Sequence, residues 1–134
     1  MERNGLNMSL SMDKNKFEKM KKAFEANGGV IDSSPDIDRH LDYLGADAAA
    51  LNKDTIIIKH DVIPSASAMF EELIHTAQYK SGKAKGNNWI DMEIKAKKKL
   101  IKYQKQYGIT DVENEITKMQ LNELLKIREE GKYV

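Results

Sequence analysis

Between Ser65 and Lys80 the chain reads SASAMFEELIHTAQYK. At about 3.6 residues per helical turn, Glu71, His75 and Gln78 stand at i, i+4 and i+7. A carboxylate, an imidazole and an amide then share one stripe. Glu72 lies about 60° further round from His75. Ala66, Met69, Phe70, Leu73, Ile74 and Ala77 form an apolar arc beside that stripe. Carboxylate oxygen and imidazole nitrogen are both zinc ligands, and a carboxylate beside them can act as a general base. A second feature points the same way. On the next helical stretch Glu93 stands at i+4 from Trp89 and i−3 from Ala96, on the face turned into the protein. An inward carboxylate is costly unless a cation or a metal compensates it.

The helix motif of zinc peptidases is H-E-x-x-H. Ligands at i and i+4 reach one ion, and the intervening Glu polarises water on it. Here the equivalent residues are Glu71-Glu72-Leu73-Ile74-His75, so the geometry is kept and the first imidazole is a carboxylate. This reading makes Glu71, His75 and Glu93 the metal ligands. Glu72 becomes the catalytic residue, taking a proton from water and handing it to the leaving amine. Gln78 would orient a ligand through a hydrogen bond. Two neutral imidazoles and one Glu leave a bound zinc at net +1, whereas one imidazole and two Glu leave it at zero. Water activation is therefore expected to be weaker. The harder ligand set also opens the site to manganese or another divalent ion besides zinc.

The run E-E-L-I-H-T-A-Q, followed by a glycine-rich loop and E-I-K-A, resembles zincin-like metallopeptidase domains. It is similar in particular to the small ones at the carboxy-terminal ends of bacterial polymorphic toxins and phage head-morphogenesis proteins. The resemblance covers roughly residues 17–125. It implies a strand before the motif helix, a third ligand at Glu93, and a protein or peptide substrate. It also implies a cognate immunity protein as a partner and delivery as part of a larger secreted or phage protein. The contrasting expectation is a catalytically weak or inactive zincin-like interaction module of such a protein.

Other elements must position these residues. Asp13–Asn27 reads as a helix capped by Asp13, with Phe17, Met20, Ala23 and Phe24 on one face and Gly28-Gly29 as its stop. Val30-Ile31 is a short extended piece. Asp36–Leu44 is a short helix with Ile37, Leu41 and Leu44 inward and Gly45 as its stop. Ala46–Asp54 is ambiguous, although Ala48–Leu51 suits a helical turn. Thr55–Lys59, TIIIK, is the clearest strand. Pro64 followed by Ser65 starts the motif helix. Ser81–Asn88, SGKAKGNN, is a loop placed to gate the site. Trp89–Tyr107 is one long helix, with lysines 95, 97, 98, 99, 102 and 105 assigned to its solvated surface. Thr110–Glu113 is a capping box, opening a helix with Val112, Ile116, Met119, Leu124 and Leu125 inward. The expected fold is α+β, zincin-like, with several helices packed on a small sheet. Residues 1–12 read as a flexible tail or linker and 13–134 as a single domain.

Composition limits the alternatives. The chain has 134 residues, 22 basic and 21 acidic, a net charge of +1 and no cysteine. That balance gives no pull toward nucleic acid and leaves no thiolate chemistry. No apolar run approaches the roughly 20 residues that cross a bilayer. The first residues lack the apolar core of a signal peptide, which points to the cytoplasm unless a larger protein carries the domain. Two bland assignments stay open. Glu71 and Glu72 could be solvated surface acids, and Glu93 could pair with a loop lysine or with Lys97. His40 reads as no ligand, and His60 as a reserve one.

Overall fold

The computed structural model describes residues 11–82 and 88–131. The expected tail falls outside this range up to residue 10, and the glycine-rich loop falls outside it at 83–87. Ser11 and Met12 do not behave as tail. Ser11 forms an antiparallel bridge with Ser65, the Met12 N–H donates to the Pro64 carbonyl at 2.9 Å, and the Met12 side chain is buried.

Helix α1 (Lys14–Ala26) starts where the Asp13 carboxylate accepts the Lys16 N–H at 3.1 Å. Its Phe17 is buried, with Met20 and Phe24 against the same core. Strand β1 (Val30–Asp32) follows. Helix α2 (Pro35–Leu44) is capped by Ser34 and stopped at Gly45, whose φ of 72° suits glycine. Of its expected inward residues Leu41 is fully buried, but Leu44 is exposed.

Ala48–Ala50 is strand β2, not a helical turn. Alanine favours helix by propensity, but pairing with strand β3 (Thr55–Ile58) overrides a weak local preference. The β2–β3 connection is held by Asn52, whose side-chain oxygen accepts the N–H groups of Asp54 and Thr55 at 2.8 and 2.9 Å. The sheet order is β1-β3-β2, with β1 parallel and β2 antiparallel to β3. The central strand β3 is covered on both faces, so Ile56, Ile57 and Ile58 are all buried.

Helix α3 (Ala66–Lys80) begins at Ser65, whose hydroxyl accepts the Ala68 N–H at 3.1 Å. It packs on β2 and β3. Ala66, Met69 and Ile74 enter the core, while Thr76 is buried in place of the expected Ala77. The expected long helix is two. Helix α4 (Trp89–Lys102) ends at Tyr103, and a short α5 (Gln104–Tyr107) brings Tyr107 into a stack on Phe70, with ring centroids 4.2 Å apart. Helix α6 (Asp111–Gly131) packs along α4. The architecture is α+β, with helices on a small three-stranded sheet. No helix among the described residues is long and apolar enough to cross a membrane.

The inward face of α6 differs from its hydrophobic pattern. Val112, Ile116 and Met119 are 56%, 38% and 68% exposed, whereas Glu113, Asn114 and Thr117 are buried. The capping box explains the rotation. Glu113 Oε2 accepts the Thr110 N–H at 2.9 Å, and Thr110 Oγ1 accepts the Glu113 N–H at 3.2 Å. The second oxygen of Glu113 accepts the Ser67 N–H of α3 at 3.1 Å. One carboxylate thus ties the starts of two helices and turns that face of α6 toward α3.

Candidate metal centre

The site lies between α3 and α4. The contacts run in opposite order along the two helices, so the helices lie antiparallel. Gln78 meets Met92, His75 meets Glu93, and Glu71 meets Lys97. On each helix the facing pair is spaced i, i+4, the distance that stacks side chains on one face. His75 Nε2 lies 3.1 Å from Glu93 Oε1 and 3.8 Å from Glu71 Oε2. One ligand atom from each of Glu71, His75 and Glu93 falls within 4.8 Å of the others. Bonds of about 2.0–2.1 Å at tetrahedral angles put ligand atoms about 3.3 Å apart. His75 Nε2 is near that spacing from both carboxylates.

The tautomer of His75 follows from its neighbours. The Gln78 side-chain NH₂ donates to the Met92 carbonyl at 3.0 Å, which turns the Gln78 oxygen toward His75 Nδ1 at 2.8 Å. That oxygen only accepts, so Nδ1 carries a proton. In the neutral ring Nε2 is then a lone-pair donor aimed at the two carboxylates. Nε2 is buried and makes no hydrogen bond of good geometry, even with Glu93 Oε1 at ion-pair distance. A buried polar atom without such a partner is unusual, and a cation among the three side chains would satisfy it.

The charges respond to this crowding. Burial alone would lift the Glu71 carboxyl, but His75 and the Lys97 ammonium hold it below its ordinary value. Burial disfavours the imidazolium of His75, yet Glu71, Glu93 and Gln78 outweigh it and push the pKa up to about 11. The two carboxylates thus keep a proton on the ring. Burial, and then the charge of Glu71, pushes Glu72 up to about 7. One Glu72 oxygen accepts the Ala50 N–H at 2.9 Å. Ala50 belongs to the free edge of β2, so this contact caps an otherwise unpaired N–H.

Glu71, Glu72, His75, Gln78 and Glu93 all line one cleft of about 270 Å³. A second cleft of about 270 Å³, between α3 and α6, is also lined by Glu71 and Glu72 and has Lys97 and Glu113 in its wall. Trp89, expected on the buried stripe, is half exposed at the first cleft. His60 does not join the cluster, since its ring pairs with Asp38 and Asp61. Glu71 and Glu72 are not solvated surface acids, and Lys97 pairs with Glu71 rather than Glu93. Lys97, which the helical pattern puts on the solvated face and the sequence offers only as a partner for Glu93, is 9% exposed. Its pairing with Glu71 is what the sequence reading misses. The loop lysines offered as partners of Glu93 lie outside the described residues.

Compared with protein-family models, with curated proteins and with solved structures, the chain matches none of them.

Proposed function

We propose that the chain is a zincin-like, metal-dependent peptidase domain in which Glu71, His75 and Glu93 hold a divalent ion. Zinc is the first choice and manganese the alternative. The observation that carries this reading is the buried His75 Nε2, oriented by Gln78 and flanked by two carboxylates at near-ligand spacing. A divalent ion held there supplies Lewis-acid activation of a water and of a peptide carbonyl. Glu72 takes the proton of the attacking water and passes it to the leaving amine as the C–N bond breaks. A carboxyl raised to about 7 suits that double role near neutral pH. A protein or peptide substrate, an immunity protein and a larger secreted or phage parent belong to the same proposal.

The second reading, a weak or inactive interaction module, is favoured by one contact. The Ala50 N–H holds an oxygen of Glu72 that a catalytic base would use. The two readings part on one substitution. Glu72→Gln leaves zinc binding within about threefold of wild type but lowers cleavage of a fluorogenic peptide library by about 100-fold or more. Cleavage that survives the substitution removes Glu72 from the chemistry. A wild-type protein that binds zinc and cleaves nothing supports the module.

A further inference from the structure

Glu71 stands where the zinc-peptidase motif carries a neutral imidazole. One more carboxylate makes the ligand set one charge more negative. The structure contains a feature that answers this excess. Lys97 reaches Glu71 from α4, and its ammonium donates to Glu71 Oε1. The other oxygen, Oε2, is the one turned to His75 Nε2 at 3.8 Å. The two oxygens therefore have separate tasks: one holds the ammonium, and one faces the proposed metal position.

Both side chains are largely out of solvent, at 11% and 17% side-chain exposure. A charge pair at such depth interacts more strongly than a surface pair, and removing one partner strands the other. A carboxylate bound to an ammonium is neutral as a unit and presents one donor atom. In charge and denticity it matches an imidazole. Resting on the metal-centre reading above, we propose that Lys97 is a positioning residue that converts Glu71 into a neutral, singly coordinating ligand. The Glu71–Lys97 pair then takes the place of the missing histidine and returns the loaded site to a net positive charge.

The alternative role for Lys97 is that of a plain counter-ion. It would neutralise Glu71 with no bearing on how the site holds a metal. A double-mutant cycle on zinc affinity separates the two. Zinc is titrated against a competing chelator, and circular dichroism checks the fold of each variant. Glu71→His alone leaves the Lys97 charge unpaired beside the site and is expected to weaken zinc binding by about 100-fold. Adding Lys97→Met to Glu71→His removes that charge and restores affinity to about that of wild type, whereas effects that simply add would leave it about tenfold weaker. Lys97→Met alone makes the site one charge more negative and tightens zinc by about tenfold. Lys97→Arg keeps the charge and stays within about threefold of wild type. Lys97→Gln, which still donates to Glu71, replaces Lys97→Met if methionine is not accommodated. Coupling of about tenfold or more between the two positions is the expected result. Effects that simply add, in a wild type that does bind zinc, overturn the role of Lys97 alone. A wild type that binds no zinc overturns the metal centre itself, and this assignment with it.

Discussion

Zinc affinity of the metal-free protein is expected to rise about tenfold for each unit of pH between about 6 and 8. The reason lies at His75. In the absence of metal Glu71 and Glu93 hold the ring protonated, with a pKa of about 11. Across that range the ring starts charged, so a ligating Nε2 must first release its proton. One proton released per ion makes the affinity tenfold pH-dependent per unit. The stability of the metal-free chain moves the other way. His75 has its pKa raised from 6.5, so the stability it contributes is fully present below pH 6.5 and is lost as pH climbs toward 11. Glu72 is raised from 4.5 to about 7, so the folded chain also holds its proton more tightly than the unfolded chain over that interval. Its effect likewise declines as pH rises from 4.5 through 7. Glu71, whose pKa is lowered, acts in the opposite sense, and its contribution is lost only as pH falls through its depressed value. The gain in melting temperature on adding zinc should therefore widen from pH 6 to pH 8. Calorimetry in two buffers of different ionisation enthalpy counts the released protons. Affinity that is flat in pH would exclude His75 as a ligand. Glu93→Gln should weaken zinc by about 10- to 100-fold, and an unchanged affinity would remove Glu93 from the ligand set.

Glu113→Ala is expected to destabilise the chain by about 3 kcal/mol, far more than an ordinary capping substitution. Glu113 is 3% exposed, and its two oxygens accept from the Thr110 N–H, the Thr110 hydroxyl and the Ser67 N–H. Alanine would leave two backbone donors unpaired at the starts of α3 and α6, where a negative charge is also favoured by the helix dipoles. Urea denaturation measures the loss as a lower midpoint at unchanged slope. Thermal unfolding should shift down by about 10 °C. A loss below about 1 kcal/mol would mean that water replaces the carboxylate, and that Glu113 is not the tie between the two helices. Because Ser67 sits one turn before Glu71, some weakening of zinc binding should accompany the loss. That coupling is absent if α3 keeps its position without Glu113.

Much of the candidate site could be read along one helix. Glu71, His75 and Gln78 share a stripe because their spacing is set by the helical period, whatever packs against them. The starts at Asp13, Ser65 and Thr110 were legible for the same reason: each cap is a bond to a residue three positions away. The run TIIIK read as a buried or half-buried strand, and Glu93 stood out as an acid on an apolar stripe.

What the sequence could not decide depends on partners distant in the chain. Ala48–Ala50 became a strand because β3 was there to pair with it. The polar face of α6 turned inward because Glu113 reaches Ser67, against the hydrophobic pattern of that helix. Lys97 could be read as a solvated lysine or as a partner of Glu93, since a long side chain can lie in solvent or reach into the protein. Its burial follows from Glu71 lying opposite on α3. By itself the sequence determined the order of the candidate donor side chains along the helix and the carboxylate at Glu71. Only the tertiary structure decided that a buried ammonium stands against that charge, because ion pairing depends on which side chains two antiparallel helices bring face to face.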